Sequence, residues 1–179
     1  MPMHHRPANA GKNWMRLAVI CCVPVAALFL TGFYLPGGLL LSVVPVRGTI
    51  PLAEIWLAPG DTFTIRYFHS VENAPIWETH SVDADGRIFI EEECYLTFGA
   101  GMGKMPGVGR MVQNGPFECI ERMHMPTGDF ILRIGSPGVD HTLIRDGTQI
   151  NLSTLAPHTA VRFSARPVSK LYRIWYQMF

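Results

Sequence analysis

Nineteen consecutive uncharged residues, Leu17 to Leu35 (LAVICCVPVAALFLTGFYL), constrain this chain more than any other feature. At about 1.5 Å per residue, a helix of that length matches the hydrocarbon thickness of a bilayer. Arg6, Lys12 and Arg16 precede the run, and no Asp or Glu occurs before Glu54. Because positive charge is retained in the cytoplasm, residues 1–16 read as a basic cytoplasmic tail and the chain beyond the run as exported. Trp14 and Tyr34 lie near its two ends, where amphipathic rings favour the membrane interface. A cleaved signal peptide would have a shorter apolar core followed by a small-residue site, whereas Val25-Ala26-Ala27 falls in mid-run. Ile20 stands where a lipoprotein would need a small residue before Cys21. Pro24 and Gly32 are compatible with a spanning helix, because lipid tolerates both. The expectation is a single transmembrane helix over 17–35, with Ala26, Ala27 and Gly32 as close-approach positions for packing on other helices. Residues 36–46 are expected to form an apolar stalk.

Residues 47–179 then constitute one exported domain, large enough for its own core. It holds all 14 acidic residues and 12 of the 15 basic ones, a net charge of −2 with His neutral. No basic face or basic run suggests nucleic acid as a partner. Glu91-Glu92-Glu93 reads as a solvated strand end. Cys21 and Cys22 sit in the apolar run as small apolar residues. Cys94 and Cys119 lie in the exported part, where oxidation is possible; a disulfide and two separate thiols both remain open. No CxxC or Cys/His zinc spacing occurs.

The exported part is patterned as strands and turns. In Asp61 to His69, Phe63, Ile65 and Tyr67 alternate with Thr62, Thr64 and Arg66, the period of a half-buried strand. Further strand candidates run along the chain as far as Ala160 to Arg166. Asp146-Gly147 between two of them predicts a tight hairpin, because both residues tolerate positive φ. Short strands at this spacing, with 17 Gly and 14 Pro in the chain, predict an all-β domain, an antiparallel β-sandwich or barrel-like, preceded by one N-terminal transmembrane helix. The C-terminal SKLYRIWYQMF is aromatic and basic; it reads as a last strand or short helix on the core, or as an interface segment on the membrane or a partner.

The densest polar constellation is His69-Ser70-Val71-Glu72 together with Glu78 and His80. Imidazole, hydroxyl and carboxylate together suit acid–base work or metal binding. On an extended chain, however, neighbouring side chains point to opposite faces, so His69 and Ser70 need not meet. No Gly-x-Ser-x-Gly elbow is present. Glu78 and His80 would share one face as two metal ligands might, with His141 or Glu72 needed as a third. A strand-ending turn, or a polar binding site for a partner or ligand, accounts for the same residues without catalysis. The glycine loop Gly99-Ala100-Gly101-Met102-Gly103-Lys104 departs from the P-loop pattern, with Met105 where Ser or Thr should stand. No catalytic residue, metal or cofactor is assigned.

The strand leading into His69-Ser70-Val71-Glu72, then Pro75, Glu78 and Phe98-Gly99-Ala100-Gly101, resembles domain-of-unknown-function family 1850. Asp140-His141-Thr142-Leu143, Gly147 and Ile150-Asn151-Leu152 resemble that family's C-terminal part. The resemblance extends over about residues 47–165. It implies an association with the TAXI branch of tripartite ATP-independent periplasmic (TRAP) transporters, which are driven by an ion gradient. The expectation is a non-catalytic accessory subunit in a bacterial inner membrane, N-terminus cytoplasmic and C-terminal domain periplasmic. It would contact the transporter's membrane component and its periplasmic solute-binding protein. The contact face would carry His69, Ser70, Glu72, Glu78, Gly99, Ala100, Gly101 and His141. An anchored ligand-binding or sensory domain is the alternative.

Overall fold

The computed structural model describes residues 30–69, 74–96 and 107–178. After helical residues 30–34 come strands β1 (Pro36–Pro45), β2 (Ala53–Leu57), β3 (Thr62–Phe68), β4 (Pro75–Val82) and β5 (Ile88–Tyr95). They are followed by β6 (Arg110–Asn114), β7 (Phe117–Glu121), β8 (Met125–Pro126), β9 (Phe130–Arg133), β10 (Thr142–Arg145) and β11 (Thr148–Asn151). A single helical turn, α1 (Leu152–Leu155), leads to β12 (Ala160–Ser169) and helix α2 (Lys170–Met178). The chain divides into two compact units. One is Gly38–Pro167; the other holds described residues 30–37 and 168–178.

The larger unit is a sandwich of two sheets. The smaller sheet runs β2-β1-β12-β9; the larger runs β11-β10-β3-β4-β5-β7-β6, with β8 paired to β5. Neighbours in the larger sheet are antiparallel. One core joins them: Leu39, Leu41 and Val43 of β1 and Val161 and Phe163 of β12 pack with Phe63 and Ile65 of β3, Val82 of β4 and Leu143 of β10. The alternation of β3 is the reason for its position, since Phe63 and Ile65 turn inward while Thr62 faces solvent. Asp146 and Gly147 form the predicted two-residue hairpin between β10 and β11, both at positive φ (47° and 79°).

Two expectations change. Residues 36–46, expected as a stalk, contain β1, whose Leu39, Leu41 and Val43 are core residues rather than a tether. A strand buried by a second sheet carries the same unbroken apolar signature as an extension of a span. Glu91-Glu92-Glu93 lies inside β5, half-buried, and is not a solvated end. The C-terminal segment forms helix α2 over Lys170–Met178, one of the alternatives its sequence left open. The expected span falls mostly outside the described residues, as do Ala26 and Ala27. Among the described residues no helix is long and apolar enough to cross a membrane.

Candidate functional site

One end of the larger sheet gathers polar groups on its inward face. Register sets this up. Tyr67 of β3 lies opposite Ile76 of β4, which lies opposite Tyr95 of β5; one step along, Ile65, Glu78 and Glu93 are aligned. Directly opposed residues point to the same face, so two tyrosines and two glutamates share it. Tyr67 donates its phenolic O–H to Glu78 Oε1 at 2.8 Å, and Tyr95 donates to Glu93 Oε2. β10 begins at the same end, Thr142 being opposite Arg66, and the His141 ring stacks on Tyr67 with centroids 5.1 Å apart and planes 15° apart.

Burial and pairing set the charge states. Burial pushes the Glu78 carboxyl above its ordinary value; the Tyr67 hydrogen bond opposes this, and the Glu93 charge adds to it. Burial and the adjacent carboxylates raise both phenols, so Tyr67 and Tyr95 stay protonated and remain donors. Burial lowers His141, against the pull of Asp140. The Gly135 N–H donates to His141 Nδ1 at 3.1 Å, so the neutral ring carries its proton on Nε2. The His141 N–H donates to the buried Ser153 Oγ at 2.9 Å.

Asp140 fixes the approach to β10. It sits at φ +52°, accepts from Arg66 Nη2 at 2.6 Å and from Thr142 Oγ1 at 3.3 Å, and is bonded by Asn151 Nδ2. One carboxylate thereby ties β3, β10 and β11 together. Both partners of the Arg66–Asp140 pair are about a quarter exposed (27% and 26%), so the pair is neither a free surface pair nor a fully desolvated one.

Of the residues singled out in the sequence, Glu78 and His141 meet through Tyr67, and His69 lies at the same end, its N–H donating to the Ala74 carbonyl at 2.9 Å. Ser70, Glu72, Gly99, Ala100 and Gly101 lie outside the described residues. The described flanks of both segments, His69, Ala74 and Leu96, belong to this end of β3, β4 and β5. His80 shares the inward face with Glu78, as expected, but stacks between Phe63 and Phe130 in the core, 5.1 Å from each ring. It therefore reads as a core histidine rather than a metal ligand. Among the described residues Glu92, Cys94 and Cys119 lie close enough to suggest a metal group. The two sulfurs are joined as a disulfide across β5 and β7, which removes both as ligands.

The sequence did not single out Tyr67, Tyr95, Glu93 or Asp140 as site residues. Tyr67 was legible only as an inward strand residue. Glu93 was hidden in an acidic triplet whose alternation sends Glu92 and Glu93 to opposite faces.

No curated protein and no solved structure matches the chain. The family described as "Domain of unknown function (DUF1850)" matches residues 63–152, from the second residue of β3 to the first residue of α1, which takes in Arg66, Tyr67, Glu78, Glu93, Tyr95, Asp140 and His141. The chain belongs to that family.

Proposed function

We propose that this chain is a non-catalytic, membrane-anchored accessory subunit of a TAXI-type TRAP transporter, and that the Tyr67–Glu78–His141 end of the larger sheet is its contact face. It meets the membrane component there, with the periplasmic solute-binding protein as a second contact. The transporter association rests on the resemblance carried by His69-Ser70-Val71-Glu72 and Phe98-Gly99-Ala100-Gly101. The observation that carries the rest is how the described acids and bases are used. Glu78 and Glu93 accept from tyrosines, and His141 Nδ1 accepts from a backbone amide. Groups committed to one another in this way make a rigid, largely buried polar support beneath that end of the sheet. A general base needs a free acceptor within reach of a substrate proton. Leu96 at the same end is exposed, an apolar residue available to a partner.

The test is affinity capture of the full chain from native membranes in mild detergent, followed by mass spectrometry. Recovery with a polytopic transporter subunit, lost in Leu96→Asp without a change in melting temperature, is the expected result. Recovery as a lone monomer after cross-linking of intact cells rejects it.

A second reading has its own observation. A cleft of about 610 Å³ in the larger unit is lined by Arg47, Arg133, His158 and Thr159, with no acidic residue among the described residues of its wall. Three basic side chains around one concavity suit a small carboxylate ligand. A thermal shift with dicarboxylates or amino acids, abolished by Arg133→Ala, would favour an anchored ligand-binding domain.

A further inference from the structure

Helix α2 spaces Leu171, Ile174, Trp175 and Met178 at i, i+3, i+4 and i+7, which makes one apolar stripe, with Lys170, Arg173 and Gln177 on the other side. No residue of this helix is buried. Ile174 is 47% exposed, Trp175 56% and Met178 71%. A nine-residue helix is too short to persist in water on propensity alone, so its stripe must be covered by something.

Its position indicates what covers it. The Lys170 N–H donates to the Leu35 carbonyl at 2.8 Å, and Arg173 Nη1 donates to the Gly37 carbonyl at 2.9 Å. A Cβ on Gly37 would lie 2.4 Å from the Ser169 carbonyl oxygen, so the two backbones touch. The Ser169 hydroxyl accepts from the Tyr172 N–H at 3.1 Å, capping the helix start. These bonds hold α2 against the downstream end of the apolar run, where Leu30, Phe33, Tyr34 and Leu35 are also exposed. If residues 17–35 cross a bilayer, α2 is fixed at the depth where the run leaves it. Its Tyr172, Trp175 and Tyr176 are residue types that favour that layer, and a basic amphipathic helix lies in it with its apolar side toward acyl chains.

We propose that α2 is a second membrane contact, an interfacial helix lying in the headgroup boundary beside the exit of the span. Ile174, Trp175 and Met178 dip into lipid, and Lys170 and Arg173 face anionic headgroups. This rests on the reading of residues 17–35 as a span, and the experiment separates the two. The full chain and Trp175→Phe are reconstituted into phosphatidylcholine–phosphatidylglycerol vesicles carrying lipids brominated at a shallow or a deep acyl position. The difference between the two emission spectra isolates Trp175 from the other tryptophans. The expected difference spectrum is blue-shifted and loses most of its intensity with shallow bromine and less with deep bromine. A red-shifted, unquenched Trp175 in a chain that resists carbonate extraction leaves the span intact and overturns the interfacial helix. A blue-shifted but unquenched Trp175 also overturns it, because the stripe is then covered by protein. Extraction of the chain by carbonate removes the span and this proposal together.

Discussion

Tyr67 and Glu78 are diagonal neighbours on adjacent strands, and the phenol of the first holds the half-buried carboxyl of the second at 2.8 Å. The bond favours the charged carboxylate while burial and Glu93 disfavour it. Glu78 therefore titrates above its ordinary value near 4.5. A carboxyl whose folded-state value is raised contributes most below its unfolded value, and that contribution is lost as pH rises through the folded one. Glu78→Gln keeps an acceptor for Tyr67 and removes the charge. The variant should gain stability over the wild type as pH rises above about 4.5, measured by urea denaturation across a pH series. Parallel curves would show that Glu78 is not desolvated. Tyr67→Phe should cost about 1–3 kcal/mol at neutral pH by leaving the carboxylate without its donor.

His80 has the opposite sign. Burial between Phe63 and Phe130 lowers it from 6.5 to about 4, against a hydrogen bond to the Glu78 backbone, and its buried Nδ1 has no hydrogen-bond partner among the described residues. The unfolded chain takes up this proton first, so stability falls as pH drops from about 6.5 to about 4 and levels off below. The displacement corresponds to a loss of about 3 kcal/mol. His80→Leu, close in volume and without a titrating group, should flatten this limb. Acid limbs of equal depth in both proteins would place the sensitivity elsewhere.

Cys94 and Cys119 face each other across β5 and β7, with Cα atoms 4.1 Å apart and the sulfurs bonded. Closing a loop over a separation of 25 residues restricts the unfolded chain by about 3–4 kcal/mol. The Cys94→Ala/Cys119→Ala protein should lose about that much, and reductant should lower the melting temperature of the wild type only. Free thiols in the protein as isolated, detected by alkylation, would remove this bond.

Gly86, in the turn between β4 and β5, sits at φ +86°, and a Cβ added to it would lie 2.4 Å from the Ala165 carbonyl oxygen of β12. A methyl group there meets backbone that belongs to the opposite sheet and that has little room to move. Gly86→Ala should destabilise by about 1–3 kcal/mol in chemical denaturation, through overpacking and a left-handed backbone. Gly60→Ala is the control: its φ is also +86° but no atom of the described residues lies within 4 Å of an added Cβ, so it carries the backbone strain alone. Equal losses at both positions would mean that the contact between the sheets at Gly86 is unimportant.

The parts of the fold that depend on near neighbours in sequence were legible in advance. Phe63, Ile65 and Tyr67 alternate because a strand alternates, and Asp146-Gly147 turns because both residues accept positive φ. The reading of residues 36–46 failed for a related reason. Leu39 to Leu41 form an apolar run, and such a run does not state whether lipid or a second sheet will cover it. His80 and Glu91 to Glu93 could be placed on strand faces, but not in a core, a tyrosine hydrogen bond or a rim.

The sequence by itself determined the all-β character, the first inward strand of the site, the hairpin at Asp146-Gly147 and membership in a family that matches residues 63–152. Only the tertiary structure decided that Cys94 meets Cys119, that Tyr67 bonds Glu78 while stacking on His141, and that Asp140 gathers Arg66, Thr142 and Asn151. The reason is the range of the forces involved. Hydrophobic period and backbone preference act over a few residues and leave their mark in local order. The contacts that make the site join residues up to 76 apart in the chain, and strand register, which no local pattern records, fixes them.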